Sequence, residues 1–503
     1  MNTLNAARAG AREWSGLAVL ALPTALLGLD VTVLYLALPE LAADLRPSST
    51  QTLWIMDAYG FLIAGFLVTM GNLGDRFGRR RLLMIGAVAF GVTSVVAAYA
   101  TSADMLIGAR AALGIAGATL MPSTLALISN LFHDVRQRAL AIGVWATMFA
   151  LGMAAGPLVG GVLLERFWWG SAFLVAVPVV ILLVAIAPAI LPEYRAPSSG
   201  PVDIASVVLS LAAILPIIYG VKELAGGEAQ IQPALAIVVG VGAGWVFVRR
   251  QRGLVSPLLD LRLFTSRAFN VALAVLLVGL VGVGGVMLLV TQYLQLVAAL
   301  SPWAAGLWMA PPALAMLAAA ITAPLLARRW RPGGVVAGAL ILSAGGYLLL
   351  TQVDAGPGVG ELVAGFSLVY LGLGAIAALG TELVVGAAPR TMTGSAAAMS
   401  ETVQELGIAV GIATLGSLAT VVYRRSLSAD VTDNVAGHVR DATKDSLAGA
   451  VSMADALPRG GLEHAREAFT SGLHAVGIVG AAGMVVAAGL SAVMLRRVAA
   501  TGR

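Results

Sequence analysis

The chain has 503 residues, of which 59% are hydrophobic and only 11% charged, and its mean hydropathy is +0.91. It contains far more apolar sequence than the core of a soluble protein of this length could bury. It contains no cysteine, which excludes disulfides and thiolate metal sites, and its four histidines have no close metal-ligand spacing. No lysine follows a glycine as in a phosphate-binding loop, so we expect an integral membrane protein with no ATP site, cofactor or metal.

The predicted elements are apolar helices from one end of the chain to the other. A hydrocarbon core about 30 Å thick needs roughly 20 helical residues, and only helices and closed barrels satisfy every backbone group there. The apolar runs are long and continuous, so they predict an all-α polytopic membrane protein with about 14 transmembrane helices.

The loops predict the orientation. Arginines concentrate in alternate loops, such as 76–81 and 249–252, and Lys and Arg favour the cytoplasmic side. Both termini are therefore predicted to lie in the cytoplasm, and the net charge of +5 is interpreted as a topology signal, with no nucleic-acid partner. The polar segment 423–470 is predicted on the outer side. Its helical spacing and its break at Pro458 fit either a short helical hairpin or a solvated connector.

Carboxylates inside the apolar spans are the first functional candidates, because a charge in hydrocarbon is costly unless it faces protein, water or a partner. Asp30 lies near the middle of the first span, and Glu401 and Glu405 lie four residues apart on one face of span thirteen. Burial favours the protonated carboxyl and an approaching cation favours the ionised one. These three residues are therefore predicted to couple protons to the binding of a cation.

Other polar and aromatic residues within the spans have secondary roles. Asp57, close to the outer boundary of span two, is predicted to attract cations at the outer mouth or to partner Arg110. Arg110 itself should find an intramembrane acid or a carbonyl and act as a structural or coupling partner. Glu382 is a weaker candidate, because it can reach the cytoplasmic interface. The aromatic side chains that could contact a cation, if they face a cavity and not a neighbouring helix, are Tyr35, Trp54, Tyr59, Trp145, Phe149 and Tyr293.

The loop between the second and third spans carries the most specific motif. It reads Gly71-Asn72-Leu73-Gly74-Asp75-Arg76-Phe77-Gly78-Arg79-Arg80-Arg81. Glycines allow a tight turn and close helix approach, and an acid among arginines can form a breakable ion-pair network. The pattern resembles the signature loop of the major facilitator superfamily. The gating residues that this resemblance implies are Gly71, Gly74, Asp75, Arg76, Gly78 and Arg79.

Three further stretches agree with that resemblance. Residues 106–118 resemble the superfamily motif built on one buried arginine, and residues 29–39 resemble the first-helix motif of its fourteen-spanner drug:proton antiporters. In span five, a pattern of small residues and one proline resembles the motif of proton-driven exporters. Its members are Gly152, Gly156, Pro157, Gly160 and Gly161. Small residues four apart let helices touch, and a proline bends the span.

The resemblance implies a major facilitator fold of two six-helix bundles with two inserted central helices. The corresponding ranges are 1–14 for a cytoplasmic N-terminus, 15–192 for the first bundle, 193–268 for the inserted helices with their linkers, 269–495 for the second bundle and 496–503 for a cytoplasmic C-terminus. It implies a secondary active transporter and not an enzyme: a monomer in the bacterial inner membrane, surrounded by lipid. Such a protein exports lipophilic cations in exchange for protons by alternating access, with quaternary ammonium biocides, ethidium-like dyes and fluoroquinolones as substrates.

Two alternatives stay open at this point. A proton-coupled symporter would import a small nutrient, although the glycine pattern of span five argues against it. A polytopic membrane enzyme or a signalling receptor predicts a catalytic constellation or a soluble output domain. The longest polar stretch is only the 423–470 segment.

Overall fold

The first half of the chain folds into a helical bundle. A computed structural model describes residues 9–195, 203–225, 231–254, 257, 259, 261–356, 358–387, 393–427 and 435–494. The helices of the first bundle are α1 (Ala11–Leu45), α2 (Ser49–Phe77), α3 (Arg79–Ala98), α4 (Ala103–Leu131), α5 (Val135–Arg166), α6 (Ser171–Leu174) and α7 (Ala176–Ile190). The predicted sixth span is thus broken into α6 and α7.

Two helices separate this bundle from the second. The inserted pair is α8 (Ile204–Ala225) and α9 (Ile231–Gly253), followed by a 3₁₀ turn over Leu261–Thr265. The second bundle contains α10 (Arg267–Gln292, prolonged by a π turn over Tyr293–Val297), α11 (Pro302–Trp308), α12 (Ala310–Ala327), α13 (Pro332–Leu350), α14 (Gly360–Gly386), α15 (Thr393–Ser426), α16 (Gly437–Asp445), α17 (Leu447–Ser452) and α18 (Gly461–Met494).

The all-helical membrane fold is confirmed. Within the described residues, twelve helices are long and apolar enough to cross a membrane, and α8 adds a shorter apolar stretch over Ile204–Ile217. The number of fourteen spans stays a prediction. The ranges 1–8 and 495–503, which contain most of the predicted terminal segments, lie outside the described residues.

The two bundles repeat one packing scheme. α1 lies along α5 in the first bundle, and α10 lies along α15 in the second. A methyl group on Gly152 would lie 2.0 Å from the carbonyl oxygen of Ala25, and one on Gly411 would lie 2.1 Å from that of Val281. Backbones can approach so closely only where no side chain intervenes. Each bundle is therefore tied together by backbone contact between equivalent helices.

The bundles meet at one end of the molecule, which we call the hairpin face because it carries α16 and α17. There, a methyl group on Gly161 of α5 would lie 2.9 Å from the carbonyl oxygen of Pro302. Beside it, Gln295 Nε2 donates to the carbonyl oxygen of Leu36 at 3.1 Å. The opposite end carries residues 76–81 and is called the arginine face.

A polar network joins α16 to both bundles at the hairpin face. Asp445 accepts from the backbone N–H of Ser49 at 2.7 Å and pairs with Arg424 at 2.8 Å. The Tyr423 hydroxyl donates to the carbonyl oxygen of Thr443 at 2.7 Å. Beside the network, a cavity of about 470 Å³ lies between the ends of α1, α2 and α10 and the two short helices. The described part of the polar segment is thus a docked helical hairpin and not a solvated connector.

The inserted helices form a pair with its own ion pair. Arg250 donates from Nε and Nη2 to both carboxylate oxygens of Asp203, at 2.9 and 2.8 Å. Hydrogen bonds from this guanidinium hold the pKa of Asp203 well below its usual range. Gln251 also donates to Ser206 at 2.6 Å. α8 then contacts α2 and α15, one helix from each bundle.

Candidate functional site

A buried ion pair occupies the interior of the first bundle. Arg110 of α4 lies 2.9 Å from the Asp30 carboxylate of α1, measured from Nη1 to Oδ2, and donates from Nε to the carbonyl oxygen of Ile55 at 3.1 Å. Its guanidinium stacks 4.5 Å from the ring centre of Tyr59. The side chains of Arg110 and Asp30 are 2% and 6% exposed. Both kinds of partner predicted for Arg110, an acid and a carbonyl, are therefore present.

One side chain from the other bundle, Glu405 of α15, shares the same interior region. The phenol of Tyr35 lies within electrostatic range of Asp57, Arg110 and Glu405, and that of Tyr59 lies within range of Asp30 and Glu405. We call these six residues the central cluster. Five of them come from the first bundle and Glu405 comes from the second, so the cluster bridges the interface between them.

Asp57 is buried in the interior of the first bundle. Its side chain belongs to the central cluster and the residue is only 1% exposed. The two roles predicted for it, attraction of cations at the outer mouth and partnership with Arg110, stay predictions.

Glu405 lies at the contact between α2 and α15. A methyl group on Gly60 would lie 3.4 Å from Ala409 and 4.0 Å from Oε2 of Glu405. Further toward the arginine face, a methyl group on Gly65 of α2 would meet Leu211 of α8, at 2.6 Å. Glu405 therefore borders a helix of the opposite bundle.

The remaining acids lie nearer the arginine face. Glu401 is one helical turn from Glu405, is half-buried and lies within electrostatic range of it. Glu382, on α14, is exposed. Its neighbour Thr381 accepts hydrogen bonds from Ser400 at 3.1 Å and Gln404 at 3.4 Å. The structure thus brings Glu405 to the interface with α2, places Glu401 beside it and leaves Glu382 outside the central cluster.

Among the predicted aromatic contacts, Tyr293 and Trp145 serve helix packing. Tyr293 is fully buried in the second bundle, and its hydroxyl donates to the carbonyl oxygens of Asp354 and Gly356, the latter at 3.0 Å. Trp145 donates from Nε1 to the hydroxyl of Thr124 at 3.0 Å. Each of these two rings thus has a polar partner inside its own bundle, and a contact with a bound cation stays a prediction for both.

Two other predicted rings, Trp54 and Phe149, are half-buried at helix contacts. Trp54 lies edge-on to Phe61 at 6.4 Å, and the backbone of Phe149 is where a methyl group on Gly28 would clash. Tyr370 of α14, which sequence reasoning missed, donates to the sulfur of Met287 at 3.0 Å and lies near Tyr35. The internal repeat offered a signal for Tyr370. α14 packs on α12 in the second bundle as α4 packs on α2 in the first, so α14 is the equivalent of the helix that carries Arg110.

The signature loop is anchored by an acid from another segment. The backbone N–H of Arg80 donates to the Glu193 carboxylate at 3.0 Å, and that of Arg79 donates to the carbonyl oxygen of Tyr194 at 2.9 Å. Gly78 has a φ of +113°, and a methyl group there would lie 2.6 Å from the same carboxylate. Only glycine fits this position easily. Glu193, which sequence reasoning missed, therefore fixes the start of α3.

Other residues of the loop have individual positions. A methyl group on Gly74 would lie 2.9 Å from the side chain of Arg79, which folds over it, and Gly71 lies near Pro122 of α4. Arg76 is exposed, with its guanidinium 5.8 Å from the ring centre of Phe77. The side chain of Asp75 lies outside the part of the structure that is described.

The glycine motif of α5 serves two interfaces. Toward α1, methyl groups on Gly156 and Gly160 would meet Thr32 at 1.9 Å and Val33 at 3.1 Å. Toward α11 of the other bundle, a methyl group on Gly306 would lie only 2.5 Å from the carbonyl oxygen of Pro157. Gly161 likewise packs closely against the backbone of Pro302. α5 thus packs closely against α1 of its own bundle and also contacts α11 of the other bundle.

Replacing Gly152 by alanine is expected to lower the free energy of unfolding by about 1–3 kcal/mol, because its methyl group would overlap the Ala25 carbonyl and separate α1 from α5. Thermal unfolding of the purified protein in detergent measures the change. Gly338→Ala on α13 is the matched control, since no atom of the described residues lies within 4 Å of its added methyl group. Equal stability of the two variants would contradict the backbone contact.

The comparisons with known proteins agree with this geometry. The sequence profile of the Major Facilitator Superfamily matches residues 20–412. The chain is 42% identical over 499 residues to the multidrug efflux pump LfrA of Mycolicibacterium smegmatis, covering 98% of this chain and 99% of that one. It is 33% identical over 487 residues to the methyl viologen resistance protein SmvA of Salmonella typhimurium, covering 94% and 96%. A crystal structure of a bacterial homologue of the human lysosomal transporter Spinster shares the fold, with a TM-score of 0.63, 17% identity and coverage of 97% and 98%.

Proposed function

This chain belongs to the major facilitator superfamily, and we propose that it is a proton-coupled multidrug exporter of amphipathic cations in a bacterial inner membrane. The observation that carries the proposal is the central cluster, in which Glu405 of the second bundle borders α2 and lies in the same interior region as the Arg110–Asp30 pair of the first. An exporter needs its binding site at that boundary, because the site must face each side of the membrane in turn.

The positive-inside rule gives the two faces their sides. Arginines crowd the arginine face, so we assign it to the cytoplasm, with both termini there, and the hairpin face to the outside. The bundles touch at the hairpin face, where Gln295 bonds to Leu36 and Gly161 approaches Pro302. In this assignment the observed contacts close the outer side of the molecule.

The acids of the cluster have different roles in this proposal. Arg110 neutralises Asp30 and holds it in place. Glu405 borders α2 of the opposite bundle beside Gly60, so we assign it as the carboxylate that exchanges a proton for the cation. A buried carboxyl favours its protonated form, and an entering cation favours release of that proton. Glu401, one turn toward the cytoplasm, extends the acidic path for protons or a second positive charge.

Energetics set a condition on this exchange. One proton moved inward for one monovalent cation moved outward transfers no net charge, so only the pH gradient contributes, at about 1.4 kcal/mol per unit. A second proton per cation would add the membrane potential, worth roughly 2.3 kcal/mol per 100 mV. The Glu401–Glu405 pair provides carboxyl groups for two protons, so we propose that monovalent cations are exported with more than one.

A transport assay tests the function. Expression in a host without its own drug exporters should lower the accumulation of ethidium, a quaternary ammonium biocide, a fluoroquinolone and methyl viologen, and a protonophore should abolish the effect. In inverted vesicles, a proton gradient should drive ethidium inward. Proton-driven movement in the opposite direction would identify an importer, and unchanged accumulation of all four compounds would exclude this class of exporter.

A further inference from the structure

The two bundles contact each other at the hairpin face. Along each side of the molecule, the boundary between the bundles faces the lipid, and we call these two boundaries the lateral seams. One seam lies between α2 and α15, and the other lies between α5 and α12. In a simple pair of bundles both seams would open toward the arginine face in the same way. The inserted helices make the two sides of this molecule different.

The α2–α15 seam is filled by α8. A buried apolar cluster joins Phe61 of α2 to Ala409 and Ala413 of α15, and Ile214 and Leu215 of α8 pack against it. Further toward the arginine face, α2 also contacts α8, because a methyl group on Gly65 would meet Leu211 at 2.6 Å. α9 lies along the far side of α8 and supports it.

Among the described residues, no further helix packs between α5 and α12 as α8 does between α2 and α15. At the hairpin face α5 is closed against α11 through Gly161 and Pro302. Gly143 lies about five helical turns before Gly161, toward the arginine face. No described residue of another helix lies within 4 Å of a methyl group placed on Gly143. The neighbouring Thr147 is exposed as well. We take this exposed part of α5 as the open end of the seam.

We propose that the α8–α9 pair seals one lateral seam, so that lipophilic cations enter the central cluster from the bilayer through the α5–α12 seam alone. The inference rests on the proposed export function and adds the route of entry. Amphipathic cations concentrate in the interfacial region of a membrane, with their apolar part among the acyl chains. A seam that is open at the arginine face accepts such molecules directly from that leaflet, whereas a hydrophilic cation must come from the water between the bundles.

Blocking the open seam separates the two routes. Gly143→Trp should lower the transport rate of tetraphenylphosphonium, a lipophilic monocation, by about tenfold. This corresponds to an entry barrier that is higher by about 1.4 kcal/mol. It should leave the transport of methyl viologen, a hydrophilic dication, within about twofold of the parent. Gly242→Trp on α9, where a methyl group also meets no described residue within 4 Å, is the control and should change neither. Equal losses of both cations, or no loss of either, would overturn the proposal. A parent protein that transports neither cation would instead refute the export function.

Labelling tests the seal without requiring transport. The chain has no cysteine, so a single introduced thiol reports one position. Gly143→Cys should react with a lipid-soluble pyrene maleimide in proteoliposomes, whereas Ala413→Cys should be protected beneath α8 and become reactive when Ile214→Ala is added. Similar reaction rates at both positions, or faster reaction of Ala413→Cys, would show that α8 does not close its seam.

Discussion

Arg110→Ala is expected to abolish efflux and to lower the free energy of unfolding by about 3–5 kcal/mol, because it leaves a buried carboxylate without its counter-charge. The same change removes the donor to the Ile55 carbonyl and the cation above the Tyr59 ring. Thermal unfolding of the purified protein and ethidium efflux from energised vesicles measure the two losses.

A double variant separates stability from transport. Asp30→Asn combined with Arg110→Met removes both charges, so most of the lost stability should return, although Ile55 still lacks its donor. Transport should not return, because the positioned carboxylate is gone. Wild-type stability in Arg110→Ala alone, or efflux in the double variant, would contradict the place of this pair in the mechanism.

Glu405→Gln is expected to uncouple transport from the pH gradient, since the amide keeps the shape of the side chain but cannot exchange a proton at physiological pH. Losing a carboxylate in a desolvated site should also weaken the binding of a monovalent cation by roughly 2 kcal/mol, or about thirtyfold in Kd. Ethidium fluorescence titration measures the affinity, and efflux at several imposed pH gradients measures the coupling.

Glu382→Gln is the matched control for that variant. It makes the same chemical change at an exposed acid outside the central cluster, so affinity and coupling should stay close to those of the parent. Full gradient-driven efflux in Glu405→Gln would remove this residue from the proton path. Loss of coupling in both variants would show that the acids act through general electrostatics and not through their positions.

Residues with strong energetic requirements were predictable from the sequence. An arginine deep in an apolar span must have a counter-charge or a carbonyl, and Arg110 has both in Asp30 and Ile55. Glycines four apart predict a close helix contact, and Gly152 and Gly156 meet α1 in this way. In each case the residue type restricts the possible environments so strongly that little else is needed.

Features that depend on distant segments were not predictable. The hairpin docks on the start of α2 through Asp445 and Ser49, and Glu193 reaches the signature loop from 113 residues further along the chain. The partners of Tyr293 were also not predictable, because a helical pattern does not reveal which ring finds a carbonyl in a loop such as 354–356. Tertiary contacts of this kind leave no local signal in composition or spacing.

The π turn that ends α10 has a consequence for insertions and deletions. In this turn Ala298 donates to Tyr293 five residues earlier, so the helix accommodates one residue more than an α-helical turn holds. Each residue of an α-helix rotates the chain by about 100°. Deleting Tyr293 or Leu294, which precede Gln295 in the turn, would therefore rotate Gln295 away from Leu36 in the other bundle. The closure of the hairpin face is consequently encoded in the length of this segment as well as in its side chains.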